Sequence, residues 1–546
     1  MPASKAGKKQ GRDGMIGSFG LRRRAVLAGL VTAGAVPRGV QAQDRTLRMG
    51  VGAQVTSIDP QYHNISPNNA FGSMVYGALV DTDQQSRLTP GLALSWAPLS
   101  ETVWEFKLRP GVTFHDGRPF TADDVAFTFE RIPTVVNSPG SYSTYIYSIA
   151  KVEIPDPLTL RLHTKGPDPL LPASLSQIWI LSRAIHTGST IDQFNSGEKA
   201  IGAGPFKVVS VKFGDRIELA RNDAWYGAKS PWERVSYRQV TNEASRSAAL
   251  LSGDLDFIDQ VPTADVARLG SDAKVQLSQA DSLRVIYIAM DQGRTGSSPF
   301  ITDNDGKPLD KNPLMDVRVR RALSISIDRY AEVARVMEGV ATPTLQYMAK
   351  GTYGYCPDLV PPKADTDAAR KLLADAGYPQ GFRITLHGSN DRYPNDYRIV
   401  QAVAQMWTRA GVKTAVDTGP YASFITKATR QEFSAFLVSW GTPTGEPSAG
   451  LRSTVATYDA KAGMGSVNRA RYSNPELDRK LLAAMRVLDD AKREAMLQDV
   501  TRLLAADVGI IPIHLQKNVW AMRKGLTHEA RVDELTRAQD IRGGIG

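Results

Sequence analysis

Apolar positions recur along the chain with two periods, and the alternation between those periods gives the first outline of the fold. "TLRMGVG" from Thr46 reads as a strand feeding the loop 54–64, and a helix is expected over about 69–79. In "VWEFKL", Trp104, Phe106 and Leu108 alternate with polar positions, which predicts a half-buried strand. Pro110-Gly111 and His115-Asp116-Gly117 mark turns, and Thr121 is expected to cap the next helix with Asp124 near its positive end. His115 and Asp116 have the residue types of an acid–base pair, but their setting between two turns favours a structural clamp. "LTLRLHT" is a strand, and "PFKVVSVKFGDRIELARN" is a hairpin turning at Gly214-Asp215. "RVSYRQV", a helix from about Asn242 and "LDFID" then continue an α/β alternation.

The second half repeats this rhythm after a polar stretch at 292–312. Paired helices over 316–337 lead to "TDAARKLLADAG", a helix ending on Gly377. "FRITLHG", a long helix over 396–410, "KTAVDTG", a helix near Ser423 and "SAFLVSW" follow in order. One long helical pattern spans 475–506, and the strand-like "GIIPIHLQKNVWAMRK" comes late, with no helical partner after it. Strands alternating with helices imply a mainly parallel sheet covered on both faces. Two such lobes joined by crossing segments would leave a cleft between them.

Length and charge refine this picture. At 546 residues the chain exceeds a single small core, so two or three domains are expected, and 42% hydrophobic with 22% charged residues is an ordinary globular composition. The formal net charge of +10 is concentrated at the start, where eight Lys and Arg stand against Asp13 and supply +7 within residues 1–42. The remainder has no long basic run, which removes the main support for a nucleic-acid partner.

Arg22-Arg23-Arg24 precede "AVLAGLVTAGAV", whose helical length of roughly 18 Å cannot cross a bilayer core of about 30 Å. With small residues at Val40-Gln41-Ala42, this is the pattern of a cleavable export signal ending after Ala42. The weakly hydrophobic middle and the paired arginines favour a twin-arginine signal and a periplasmic destination. Cys356 is the only cysteine, so the chain has no internal disulfide, and packing is its expected role.

"WEFKLRPGVTFHDGRPFTADDVAFTFERI" at 104–132 resembles the signature block of the extracytoplasmic solute-binding proteins of family 5, which serve peptide and nickel ABC importers. The blocks "AIGAGPFKVVSV", "DVRVRRALSISIDR", "DAARKLLADAGYPQGFRITL" and "RYSNPELDRKL" agree in the same order, so the resemblance covers essentially all of the chain after the leader. It implies an α/β fold of the type II periplasmic-binding-protein kind, with two lobes around a cleft and an extra subdomain in the first lobe. On that basis residues 1–42 are the export signal, and 43–75 with 200–285 and 510–546 form the core of lobe I. Residues 76–199 are its inserted subdomain and 286–509 are lobe II, with hinge strands expected near 287–291 and 510–514. The implied partners are a small-molecule solute and a membrane permease, with the protein a monomer that uses no cofactor.

The cleft should be lined by loops at the carboxyl ends of strands. Three are candidates: 54–64 with Tyr62 and His63, 389–394 with Arg392 and Tyr393, and the stretch after Trp440 with Thr442, Thr444 and Glu446. Tyr355 and Tyr353, in a glycine-punctuated segment, are further candidates. Arginine and tyrosine together suit a carboxylate or a planar group. Peptide-binding members usually carry an Asp three residues after this Trp to pair the ligand's amino group, but here that position is Pro443. Glu446 is the candidate replacement, and standard peptide binding is placed in doubt.

"WGTP" leans toward the nickel branch, yet the seven histidines show no paired metal-ligand spacing. Peptide, opine, glycoside and metal chelate therefore stay open as solutes. An enzyme finds no support in Gly-x-Ser-x-Gly, His-Glu-x-x-His or phosphate-loop motifs. A periplasmic chaperone or scaffold without a small ligand is the alternative from a different class.

Overall fold

The computed structural model describes residues 45–543 apart from Pro443 and Lys461, so the expected leader and Pro443 lie outside the described residues. Two long strands organise the chain: Val275–Met290 and Ile511–Arg523. They run antiparallel along each other at the centre of a twelve-stranded sheet. Most of Ile511–Arg523 and the second half of Val275–Met290 are buried because both faces of the sheet are covered there, whereas 276–281 are only half-buried or exposed.

On one side of this pair, Thr46–Val51 lies parallel to both Arg234–Gln239 and Phe257–Ile258, and Phe257–Ile258 joins Ile511–Arg523. The hairpin of Phe206–Lys212 and Arg216–Arg221 extends that side, with Gly214 in its turn as expected. On the other side, Ala435–Gly441 pairs antiparallel with Val275–Met290. Arg383–Ser389 then lies parallel to Ala435–Gly441 and to Lys413–Gly419. The sheet is therefore mixed, which corrects the mainly parallel expectation. Parallel pairing joins Thr46–Val51 to its two neighbours and Arg383–Ser389 to Lys413–Gly419 and Ala435–Gly441, whereas the hairpin at the edge and the crossing strands at the centre pair antiparallel.

Each half has its own apolar core, one built around Leu47, Met49, Phe206 and Trp520, the other around Ile384, Leu386, Val403 and Trp407. The central ladder is interrupted between Asp281 and Val285, and again between Ile286 and Tyr287.

A separate antiparallel sheet takes the order Ala93–Ser100, Val103–Leu108, Thr159–Thr164, Ile149–Asp156. In Val103–Leu108 the side chains Trp104, Phe106 and Leu108 are buried while their neighbours are not, as the alternation predicts. The next helix, Ala122–Arg131, starts with the Thr121 N–H donating to Asp124 Oδ2 at 2.9 Å.

His115 is a clamp. Its Nδ1 accepts from the Gly202 N–H at 3.2 Å and its Nε2 donates to the Gly204 carbonyl at 3.1 Å. Asp116 accepts from the Arg118 N–H instead of engaging the imidazole.

The long helical pattern at the end of the second half is two helices, Pro475–Ala484 and Asp490–Asp507. Asp489 caps the second by accepting from the Lys492 N–H at 2.8 Å, and this local bond starts a new helix where continuous periodicity pointed to one. Cys356 is fully buried, and burial pushes its thiol up to about 11, as suits a packing residue. Among the described residues no helix is long and apolar enough to cross a membrane.

Candidate ligand-binding site

Of three neighbouring strands in the second half, Arg383–Ser389 and Lys413–Gly419 end side by side, and Ala435–Gly441 runs parallel beside them and continues a few residues further, so their following loops lie at one end of the sheet. The Asn390 N–H donates to the Gly419 carbonyl at 3.1 Å, and the Tyr421 N–H to Asp391 Oδ1 at 2.8 Å. These bonds bring Tyr393 and Tyr421 edge to face, 6.2 Å apart between ring centres. The Arg392 guanidinium lies over both rings at 5.3 and 5.6 Å. Arg392 is exposed, whereas Tyr393 is buried and anchored. Burial pushes the Tyr393 phenol up, and its hydrogen bond with Ser439 pulls it partly back. The wall thus offers a delocalised cation over an aromatic pair.

Arg284 reaches the same region from the central strand. It donates through Nη1 to Ser439 Oγ at 3.2 Å and through Nε to Glu534 Oε1 at 3.1 Å. The adjacent Glu534 carboxylate raises the Arg284 pKa, so the pair stays charged though largely covered.

Trp440 lies opposite Val285 in the ladder, and its indole packs so closely on Gly450 that a Cβ there would stand 2.9 Å from Nε1. The Thr442 N–H donates to the Leu283 carbonyl at 3.0 Å, tying the loop to the crossing strand. Gly445, at φ +72°, rests against the turn at Ser86, where an added Cβ would approach the Ser86 carbonyl to 2.8 Å. At this junction four buried polar atoms have no hydrogen-bond partner among the described residues: Trp440 Nε1, Thr442 Oγ1, Thr444 Oγ1 and Ser86 Oγ. Native proteins leave few such atoms, each at a cost of about 1–3 kcal/mol. Donors and acceptors concentrated in one loop and the turn facing it are what a polar ligand would satisfy.

Glu446 is differently placed. Its carboxylate is buried, stands 3.3 Å from Arg493 Nε and accepts a hydrogen bond from the Ser448 hydroxyl. Burial pushes its pKa up, against the pull of Arg493. Arg493 in turn lies over the Tyr353 ring at 5.3 Å. The Tyr355 segment packs behind this pair, with the Gly354 N–H donating to Glu494 at 2.8 Å and the Tyr355 carbonyl accepting from Gln498 at 2.9 Å. Glu446 therefore already has a cation, and a ligand ammonium would have to compete with Arg493.

Tyr62 and His63 meet the smaller sheet's neighbourhood. His63 Nδ1 contacts Thr56 Oγ1 at 3.0 Å, its backbone bridges to Gly140, and the Tyr62 carbonyl accepts from Ser138 at 2.6 Å. Burial lowers the His63 pKa. Among the described contacts none joins these two residues to the Trp440 loop. Arg284, Ser439, Tyr421, Glu534 and Ser86 were absent from the sequence-derived set. Tyr421 alone carried a local signal, standing after Gly419-Pro420 at a strand end as Tyr393 does.

A mixed α/β fold whose strand ends converge on an arginine–tyrosine wall and unpartnered loop hydroxyls is that of a solute-binding protein. The chain belongs to the bacterial extracellular solute-binding proteins of family 5, whose "family 5 Middle" profile matches residues 87–462. It is 28% identical to heme-binding protein A of Haemophilus influenzae over 476 residues, 82% of each chain. It is also 28% identical to the glutathione-binding protein GsiB of Pectobacterium atrosepticum over 516 residues, 93% of this chain and 95% of that one. The solved structure of HbpA2 from Haemophilus parasuis matches with a TM-score of 0.80 at 23% identity, over 92% of this chain and all of that one.

Proposed function

We propose that this chain is the solute-binding component of an ABC importer of the peptide/nickel type. It captures one small organic solute between two lobes and delivers it to the membrane permease, acting as a monomer without covalent chemistry. Lobe I comprises 43–75, 200–285 and 510–546, carries the subdomain 76–199, and faces lobe II at 286–509. The hinge strands expected near 287–291 and 510–514 stay part of this proposal, and the bend is placed just before the first of them, at the interrupted pairing from Asp281 to Val285, where bending breaks fewest hydrogen bonds. Residues 1–42 direct export by the twin-arginine route and are removed after Ala42, leaving the mature protein in the periplasm.

The observation that carries this reading is the cluster of unpartnered Trp440, Thr442, Thr444 and Ser86 atoms where the two halves touch. A solute seated there would accept from the indole N–H, exchange hydrogen bonds with the hydroxyls, and present an acidic or planar group to Arg392 and Tyr393. The relatives named above are a heme-binding and a glutathione-binding protein; heme and glutathione are both polyfunctional carboxylates, and the arginine–tyrosine wall suits that chemistry. Free di- and tripeptides are expected to bind poorly, because position 443 is Pro and Glu446 is held by Arg493. Calorimetry with simple peptides and their N-acetylated forms tests this. Submicromolar binding that disappears on acetylation would show that an ammonium site exists after all.

A further inference from the structure

A cavity of about 200 Å³ opens beside the start of the crossing strand Ile511–Arg523, and none of its lining residues belongs to the Trp440 loop. Its walls are mainly apolar, with Ile325, Leu345, Tyr347, Leu504, Val508 and Ile510 facing the space. A dry cavity of about 150 Å³ suffices for a benzene ring, so this one has room for a ring or a short alkyl chain.

Arg329 also lines it, and its side chain is only 1% exposed. The guanidinium donates from Nε to the Pro512 carbonyl at 2.8 Å, from Nη1 to the Ser324 carbonyl at 3.0 Å and from Nη2 to Ser324 Oγ at 3.0 Å. Of the five N–H groups of an arginine, these three are therefore occupied and two are left over. Among the described residues no carboxylate forms an ion pair with it. Glu332, the acidic side chain whose charge it feels, is itself engaged by His514 Nδ1 at 3.1 Å. Arg329 thus has an opposite charge nearby in Glu332 but no direct carboxylate contact, and a buried cation held only by neutral acceptors is costly for a fold. Burial lowers the Arg329 pKa to about 10, which still leaves it protonated at neutral pH. Arg321, exposed and bonded to the Ala506 carbonyl at 2.9 Å, adds a second positive charge to the lining.

We propose that this cavity is a second ligand site, taking an apolar monocarboxylate whose carboxylate meets Arg329 and whose hydrocarbon lies along Ile325, Tyr347 and Leu504. The charge selects an anion, and the walls select a short apolar tail.

The probes are octanoate, octanol and octylamine, titrated by calorimetry into the full-length protein. Octanoate is expected to bind one to one and at least tenfold more tightly than either control. Arg329 supports backbone groups, so its removal confuses folding with binding, and two other variants carry the test. Ala505→Phe, filling the cavity from a half-buried helix position, should weaken octanoate binding at least tenfold, and Arg321→Gln should weaken it severalfold. Trp440→Ala should leave it unchanged. The proposal is overturned if octanoate does not bind at millimolar concentration, or if octanol matches it. It is equally overturned if folded Ala505→Phe binds like the parent, or if Trp440→Ala abolishes binding and so places octanoate at the other site.

Discussion

Trp440 packs its ring on Gly450 while its indole N–H is buried without an acceptor among the described residues, which is why it is proposed to contact the solute. Trp440→Ala should weaken solute binding by roughly 1–3 kcal/mol, as truncating an aromatic anchor does, while the far-ultraviolet circular dichroism stays unchanged. Unchanged affinity in the folded variant would remove Trp440 from the site. Glu446 and Arg493 make the opposite case, a buried ion pair in which the Arg493 cation stands 3.3 Å from the Glu446 carboxylate and also reaches Asp490 at 2.8 Å. Arg493→Met leaves a buried carboxylate without its cation and should cost about 3–5 kcal/mol in urea denaturation, with Arg493→Met/Glu446→Gln recovering most of the loss. Trp440, Arg392 and Tyr393 were legible in the sequence because each stands where a strand runs into a loop. Arg284, Glu534 and Ser86 were not, because their partners come from segments far away in sequence. Arg284 and Glu534 are separated by 250 positions, a pairing that no local pattern encodes.

At the scale of elements, the loop after Ala435–Gly441 is shaped by its contact with the Asp83–Arg87 turn. Gly445 holds a left-handed backbone there and leaves no space for a Cβ beside the Ser86 carbonyl. Gly445→Ala should therefore destabilise the protein by about 1–2 kcal/mol from backbone strain alone, read by urea denaturation. It should also weaken solute binding, since the two walls of the site can no longer close to the same distance. A variant with parental stability and affinity would show that this contact does not shape the site. The strands and helices of both halves were largely legible, because the periods of their apolar residues differ and glycines such as Gly377 mark their ends. The split between Pro475–Ala484 and Asp490–Asp507 was not, because a single Asp489 cap outweighs continuous periodicity. The antiparallel centre of the sheet was equally hidden, since strand direction depends on where the chain crosses, not on composition.

For the molecule as a whole, acidity is the simplest stress. His115, His186 and His528 each have a pKa lowered to about 4, chiefly by burial, against an ordinary value of 6.5. At His115 the geometry gives the reason: Nδ1 must accept from the Gly202 N–H, so the site takes the neutral imidazole. A depressed folded-state pKa contributes stability that is complete above the unfolded value. It is lost as the pH falls through the folded one, so the window runs from about 6.5 down to about 4. Each histidine should contribute on the order of 1–3 kcal/mol across it. The melting temperature should fall steadily between pH 7 and pH 4, and His115→Leu should show a shallower acid limb. A flat profile would mean that these histidines titrate alike folded and unfolded.

On the proposed function, the interrupted ladder at Asp281 to Val285 would let the two halves enclose and release a solute. The most direct test of that account is native mass spectrometry of the protein with peptides, opines, glycosides and metal chelates. One solute class should form a one-to-one complex that Trp440→Ala weakens. If no class binds, or if the complex is indifferent to Trp440, the chain does not capture a small solute at this site.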